Sequence, residues 1–156
     1  MNNEHHYQLH MQWTGNRGTG TSHYRDYDRN HTINFENKPE LLCSADPTFR
    51  GDPTKYNPEE LLLAALSGCH MMSFLHVCVN AGVVVTAYED HATGTMVLNP
   101  DGSGHFTEVI LNPIVTVAET SMLENLDALH HKSNQLCFIA NSVNFPVRHN
   151  AKAQTA

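Results

Sequence analysis

Residues 6–13 alternate between apolar and polar, with Tyr7, Leu9, Met11 and Trp13 on one side and His6, Gln8, His10 and Gln12 on the other. A two-residue period belongs to a strand with one buried face, so a half-buried strand is predicted here. The run Gly15–Gly20 reads as a turn, Thr21–Phe35 as a returning strand and Leu41–Ser44 as a short third one. Pro47, Gly51 and Pro53 make Ala45–Tyr56 a loop.

The period then changes. Asn57 suits a helix N-cap, Pro58 the first helical position and Glu60 the third residue after the cap, which completes a capping box. The chain stays apolar until Asn80-Ala81-Gly82, where glycine suits the residue that ends a helix. Residues 58–81 predict a helix of about 36 Å, at 1.5 Å per residue. It is apolar almost all round, which predicts burial from several sides and a second subunit to complete that burial. Two more strands are predicted over Val83–Leu98 and His105–Val117, joined by a hairpin loop at Asn99–Gly104. Ser121 and Glu124 form a second capping pattern, predicting a helix to about Gln135, and Phe145–Arg148 a last strand. The order ββ(β)–α–ββ–α–β predicts one α+β domain over residues 1–156.

Composition narrows the class. With 156 residues, 40% hydrophobic and only 16% charged, the chain is apolar enough to fold around a core. A net charge of −7 lacks the basic face that general nucleic-acid binding needs. Leu61–Val85 is broken by Ser67, Gly68, His70, Ser73, His76 and Asn80, so a core helix is expected rather than a membrane span. The N-terminus has no basic segment followed by an apolar one, so a cytoplasmic location is expected. In that reducing compartment Cys43, Cys69, Cys78 and Cys137 are expected to be free thiols.

Cys69 lies in Ser67-Gly68-Cys69-His70, where small neighbours leave room at the sulfur. Cys78, nine residues on, falls on the opposite helix face, so the two cannot pair while the helix is intact. Cys43 and Cys78 read as small core hydrophobes. Cys137 follows a predicted helix, where N–H groups of a further turn would favour a thiolate. No CxxC spacing, P-loop or GxSxG elbow is present. The twelve histidines, densest at His5/His6/His10 and His130/His131, lack an HExxH or matched Cys/His pattern. They read as surface residues, and no metal site is expected. His76 shares a helix face with Cys69 but lies about 10 Å along the axis, too far to be its base.

The run from Asn57-Pro-Glu-Glu to Ser67-Gly-Cys69-His resembles the signature helix of the OsmC/Ohr family, the osmotically inducible and organic hydroperoxide resistance proteins. His131-Lys-Ser-Asn-Gln-Leu-Cys137-Phe resembles its second cysteine motif, and the order of elements agrees from Trp13 to Val147. The Gly-Gly-Arg-Asp-Gly run of the Ohr branch is missing and Phe138 replaces its usual proline, so the chain is most similar to OsmC-like members. The resemblance implies antiparallel sheets around a long buried central helix, in an intertwined homodimer with active sites at the subunit interface. It implies a thiol peroxidase for organic hydroperoxides, without cofactor, regenerated by a dithiol of lipoyl type. By position, Cys69 would be the peroxidatic and Cys137 the resolving cysteine, with Glu59 holding an arginine. Arg29 matches that arginine first, then Arg50, then Arg25. The alternative is a non-catalytic protein that binds an apolar ligand or senses oxidants through its thiol.

Overall fold

The computed structural model describes residues 3–156. The chain divides inside its long helix into two compact units, Met1–Leu61 and Leu62–Ala156. In the first unit, β1 (His10–Trp13), β2 (His31–Asn34) and β3 (Leu41–Cys43) form an antiparallel sheet in sequence order. The predicted first strand is shortened to four residues, and all four are exposed. The half-buried face read from its alternation is therefore not realised within one chain. The returning strand is also shorter, because Thr19–Ser22 and His23–Asp26 close as turns. Asn16 organises the first of these, its Oδ1 accepting from the N–H groups of Gly18 and Gly20 at 2.8 and 3.0 Å.

The long helix, α1 (Pro58–Asn80), starts and stops where its local signals say. Asn57 Oδ1 accepts from Glu60 N–H at 2.8 Å and Glu60 Oε2 from Asn57 N–H at 3.1 Å, closing the capping box. At the other end Val83 N–H bonds Cys78 C=O and Gly82 N–H bonds Val79 C=O, a Schellman motif with Gly82 at φ +72°. Asn57→Ala is expected to cost about 1 kcal/mol, read as a lower urea midpoint with unchanged slope.

The expected all-round burial of α1 does not hold within the single chain. Only Leu66, His70, Phe74, Val77 and Cys78 are buried, a stripe at three- and four-residue spacing. Ala64, Ala65, Met72, His76 and Val79 are exposed.

In the second unit the two predicted long strands each break in two. They become β4 (Val85–Asp90) and β5 (Thr93–Leu98), then β6 (Gly104–Leu111) and β7 (Pro113–Val117). The cause is a polar junction: Asp90 Oδ1 accepts from Asn112 N–H at 2.7 Å, and Asn112 Nδ2 donates to His91 C=O at 2.8 Å. Both chains leave one sheet for another at this level. The sheets run β4-β7-β9 and β5-β6-β8, where β8 is Val147–His149 and β9 is Lys152–Thr155. Pairs β6–β8 and β7–β9 are parallel, so the expected antiparallel sheets are mixed in this unit.

The second helix, α2 (Leu126–Leu136), begins at Asn125 rather than at Ser121. Thr120–Leu123 is a 3-10 turn instead, and Ser121 faces Glu119 at 3.5 Å without capping. Two apolar cores result. Phe74 and Cys78 pack with Val115, Val117 and Leu126, while Leu66 packs with Val109 and Leu111.

Candidate active site

Cys69 projects from the middle of α1 and is half-buried. Beside it, a side chain added at Gly68 would meet nothing within 4 Å, so the sulfur sits next to open space as its small neighbours predict. Cys137 ends α2. Its N–H bonds Asn134 C=O, and its sulfur accepts from the N–H of Ala140 at 3.4 Å. The chain then turns through a short 3-10 segment, Ala140–Ser142, supplying the donors that the sequence anticipates.

Those donors do not win. Cys137 is 1% exposed, and burial pushes its thiol up to about 11. The Cys69 side chain, its hydrogen-bonding neighbour, pushes the same way, while the Ala140 and Ile139 N–H groups only partly oppose. Desolvation of a thiolate outweighs two weak donors, so Cys137 is a protonated thiol at neutral pH. Two cysteines 68 positions apart in sequence thus lie side by side, both reduced.

Cys69 opens into a hollow of about 390 Å³, shared with Met72, Ser73 and His76 of α1 and with Leu136 and Phe138, which flank Cys137. The lining is mainly apolar, and Phe138 is 81% exposed at its edge. His76 therefore shares the hollow of Cys69, although its ring is held by Asn80 at 3.2 Å. The other cysteines lie away from this hollow. Cys78 is packed in the Phe74 core and pushed up to about 11 by burial, and burial also raises Cys43.

In the first unit, Glu59 is half-buried in the first turn of α1. Arg29 donates to Tyr27 C=O at 2.7 Å and to Tyr24 C=O at 3.0 Å, and stacks on both tyrosine rings at 4.2–4.3 Å. Arg50 caps a 3-10 turn at φ +66°, its N–H bonding Pro47 C=O. Among the described residues, none of Arg25, Arg29 and Arg50 makes an ion pair with Glu59.

The reading of the histidines as surface residues is corrected. His70 and His130 are each 1% exposed, with His70 Nε2 and His130 Nδ1 3.0 Å apart. The His130 ring stacks on Phe74 at 3.9 Å between centroids. Burial holds both imidazoles low, to about 4 and about 3, so both are neutral at pH 7. A sequence signal existed: His70 stands at helical spacing between Leu66 and Phe74, as His130 does after Leu126.

An α+β protein in which a half-buried free cysteine opens into an apolar hollow, beside a second, buried one at the end of another helix, is the class these features define. Within it, the chain belongs to the OsmC-like protein family, whose profile matches residues 51–152. An OsmC-like protein of unknown function from Vibrio cholerae O1 biovar eltor str. N16961 is 32% identical, with a TM-score of 0.83 over 95% of this chain and 99% of its own. Two organic hydroperoxide resistance proteins share the fold. The one from Elizabethkingia anophelis is 17% identical (TM-score 0.67, 98% of this chain and 99% of its own). The one from Legionella pneumophila is 16% identical (TM-score 0.69, 97% and 99%). No curated protein matches the chain significantly.

Proposed function

We propose that this chain is a two-cysteine peroxidase that reduces organic hydroperoxides. The juxtaposition of half-buried Cys69 with the buried thiol of Cys137, at the wall of an apolar hollow, carries the reading. The thiolate of Cys69 attacks the peroxide; the S–O bond forms, the O–O bond breaks, and the alkoxide leaves as an alcohol after taking a proton. The thiol of Cys137 then condenses with the Cys69 sulfenic acid, forming an S–S bond and releasing water. A dithiol, of lipoyl type by family resemblance, reopens the disulfide by exchange and carries away two electrons as its own disulfide.

Its neutral form leaves the first attack to Cys69; in the second step Cys137 gives up its proton as its sulfur attacks, and that proton leaves with the sulfenic hydroxyl as water. The lining of Met72, Leu136 and Phe138 favours an alkyl hydroperoxide over hydrogen peroxide. Family resemblance assigns Glu59 the holding of an arginine, Arg29 first in order, then Arg50 and Arg25, a pair that is not formed among the described residues of this chain. The protein works as a homodimer in the cytoplasm. The exposed Met72, Val79 and Phe138 supply apolar surface for a second copy.

The test is loss of cumene hydroperoxide against loss of hydrogen peroxide with dihydrolipoamide as reductant. Rapid loss of the organic peroxide, at least about tenfold faster, is expected. Cys137→Ser is expected to consume one equivalent of peroxide per chain and then stop, with the sulfenic acid trapped on Cys69 and read by mass. Continued dithiol-driven turnover in that variant would remove Cys137 from the cycle. The hollow also favours a second reading, an apolar-ligand binder or thiol sensor. A wild-type protein that binds such a ligand yet consumes no peroxide would move the function there.

A further inference from the structure

A second hollow, of about 470 Å³, opens on the Leu62–Ala156 unit between α2 and β8. We propose that Asp127, His131 and His149 at this hollow form a site for one divalent transition-metal ion, zinc by preference. Asp127 and His131 stand four residues apart on one face of α2, and His149 comes from the last position of β8. Their ligand atoms all lie within 4.8 Å of one another. In a tetrahedral zinc site with bonds near 2.1 Å the donors are about 3.4 Å apart, so the three atoms have to draw together by no more than about 1.4 Å. The rings of His131 and His149 stand at 5.1 Å and 80° to each other.

Two observations point to an ion rather than to a chance cluster. First, none of the three side chains has a hydrogen-bond or ion-pair partner among the described residues, so their lone pairs are unspent. Second, the wall behind them is built of further imidazoles: the His149 ring lies 5.7 Å from buried His70 and 5.6 Å from buried His130. Among the described residues, Nδ1 of His70 and Nε2 of His130 are buried without a partner, which is unusual in a folded protein.

Two imidazoles and one carboxylate suit zinc, cobalt or nickel better than the all-oxygen shells of calcium and magnesium. Three protein ligands leave a fourth position open to the hollow, where Asn134 and Gln135 provide polar groups beside it. This site shares no lining residue with the Cys69 hollow and does not rest on the peroxidase reading.

The experiment is calorimetric titration of the full chain with Zn²⁺, and visible absorption with Co²⁺, after His5, His6 and His10 are replaced by alanine to remove the N-terminal cluster. One ion per chain is expected, with no cobalt–thiolate charge-transfer band. His149→Ala is expected to weaken binding at least about 100-fold, because loss of a ligand exceeds the 10–100-fold effect of losing its outer support. Asp127→Asn, at an exposed position that keeps its shape, guards against misfolding and is expected to weaken binding at least about tenfold with an unchanged circular dichroism spectrum. Cys69→Ser with Cys137→Ser is expected to bind as tightly as before. Absence of one-to-one binding, unchanged affinity in either ligand variant, or loss of binding with the cysteines would each overturn the site.

Discussion

Cys69→Ser is expected to lower the dithiol-driven consumption of cumene hydroperoxide at least about 1,000-fold, to the rate of reductant and peroxide alone. A thousandfold loss corresponds to about 4 kcal/mol of transition-state stabilisation. The size follows from the nucleophile: an ordinary thiol is a few per cent ionised at pH 7, whereas a serine hydroxyl is essentially un-ionised and lacks the high-lying, polarisable lone pair of sulfur. The change is nearly isosteric and the position half-buried, so the thermal midpoint should stay within a few degrees of wild type. That separates lost chemistry from lost fold. The contrasting variant is Cys78→Ser, which puts a hydroxyl into the Phe74 core. It should cost stability and leave the rate within about threefold. Peroxide consumption that survives in Cys69→Ser would move the reactive thiol elsewhere in the chain.

Phe74→Ala should destabilise the folded chain by about 3–5 kcal/mol, measured as a fall in urea midpoint at unchanged slope. Phe74 is fully buried and is the largest side chain in its core. It packs on Val115, Val117 and Leu126, meets the Tyr88 ring at 5.9 Å, and covers the His130 ring at 3.9 Å. Truncation removes the transfer energy of an aromatic ring and leaves a cavity beside two uncharged imidazoles, whose solvation the protein then supplies only in part. Against a typical total of 5–15 kcal/mol, that loss brings the chain close to unfolding at 37 °C. Phe74→Leu keeps most of the volume and should cost less than about 1.5 kcal/mol. A Phe74→Ala loss below 1 kcal/mol would mean that this ring does not organise the second unit.

The long helix was legible because both ends are written locally, in Asn57 and Glu60 at one end and Gly82 at the other. Local writing also misled. Ser121 and Glu124 have capping-box spacing, yet the backbone takes a 3-10 turn there and the helix starts from Asn125. The breaks at His91–Ala92 and Asn112 were not legible, since each depends on Asp90 reaching a residue 22 positions away. Parallel pairing of β8 with β6 and β9 with β7 is likewise non-local, and no turn announces it.

What the sequence by itself determined is the family, the α+β order, the extent of α1 and the identity of the two candidate thiols, because each rests on short-range spacing or on a contiguous motif. The tertiary structure alone decided that Cys137 is a buried, protonated thiol beside Cys69, and that His70 and His130 are core residues rather than surface ones. It alone gathered Asp127, His131 and His149 around one point. The physical reason is the same in each case: desolvation and ligand geometry depend on which distant segments pack together, and a one-dimensional pattern carries side-chain period without carrying the neighbour across the core.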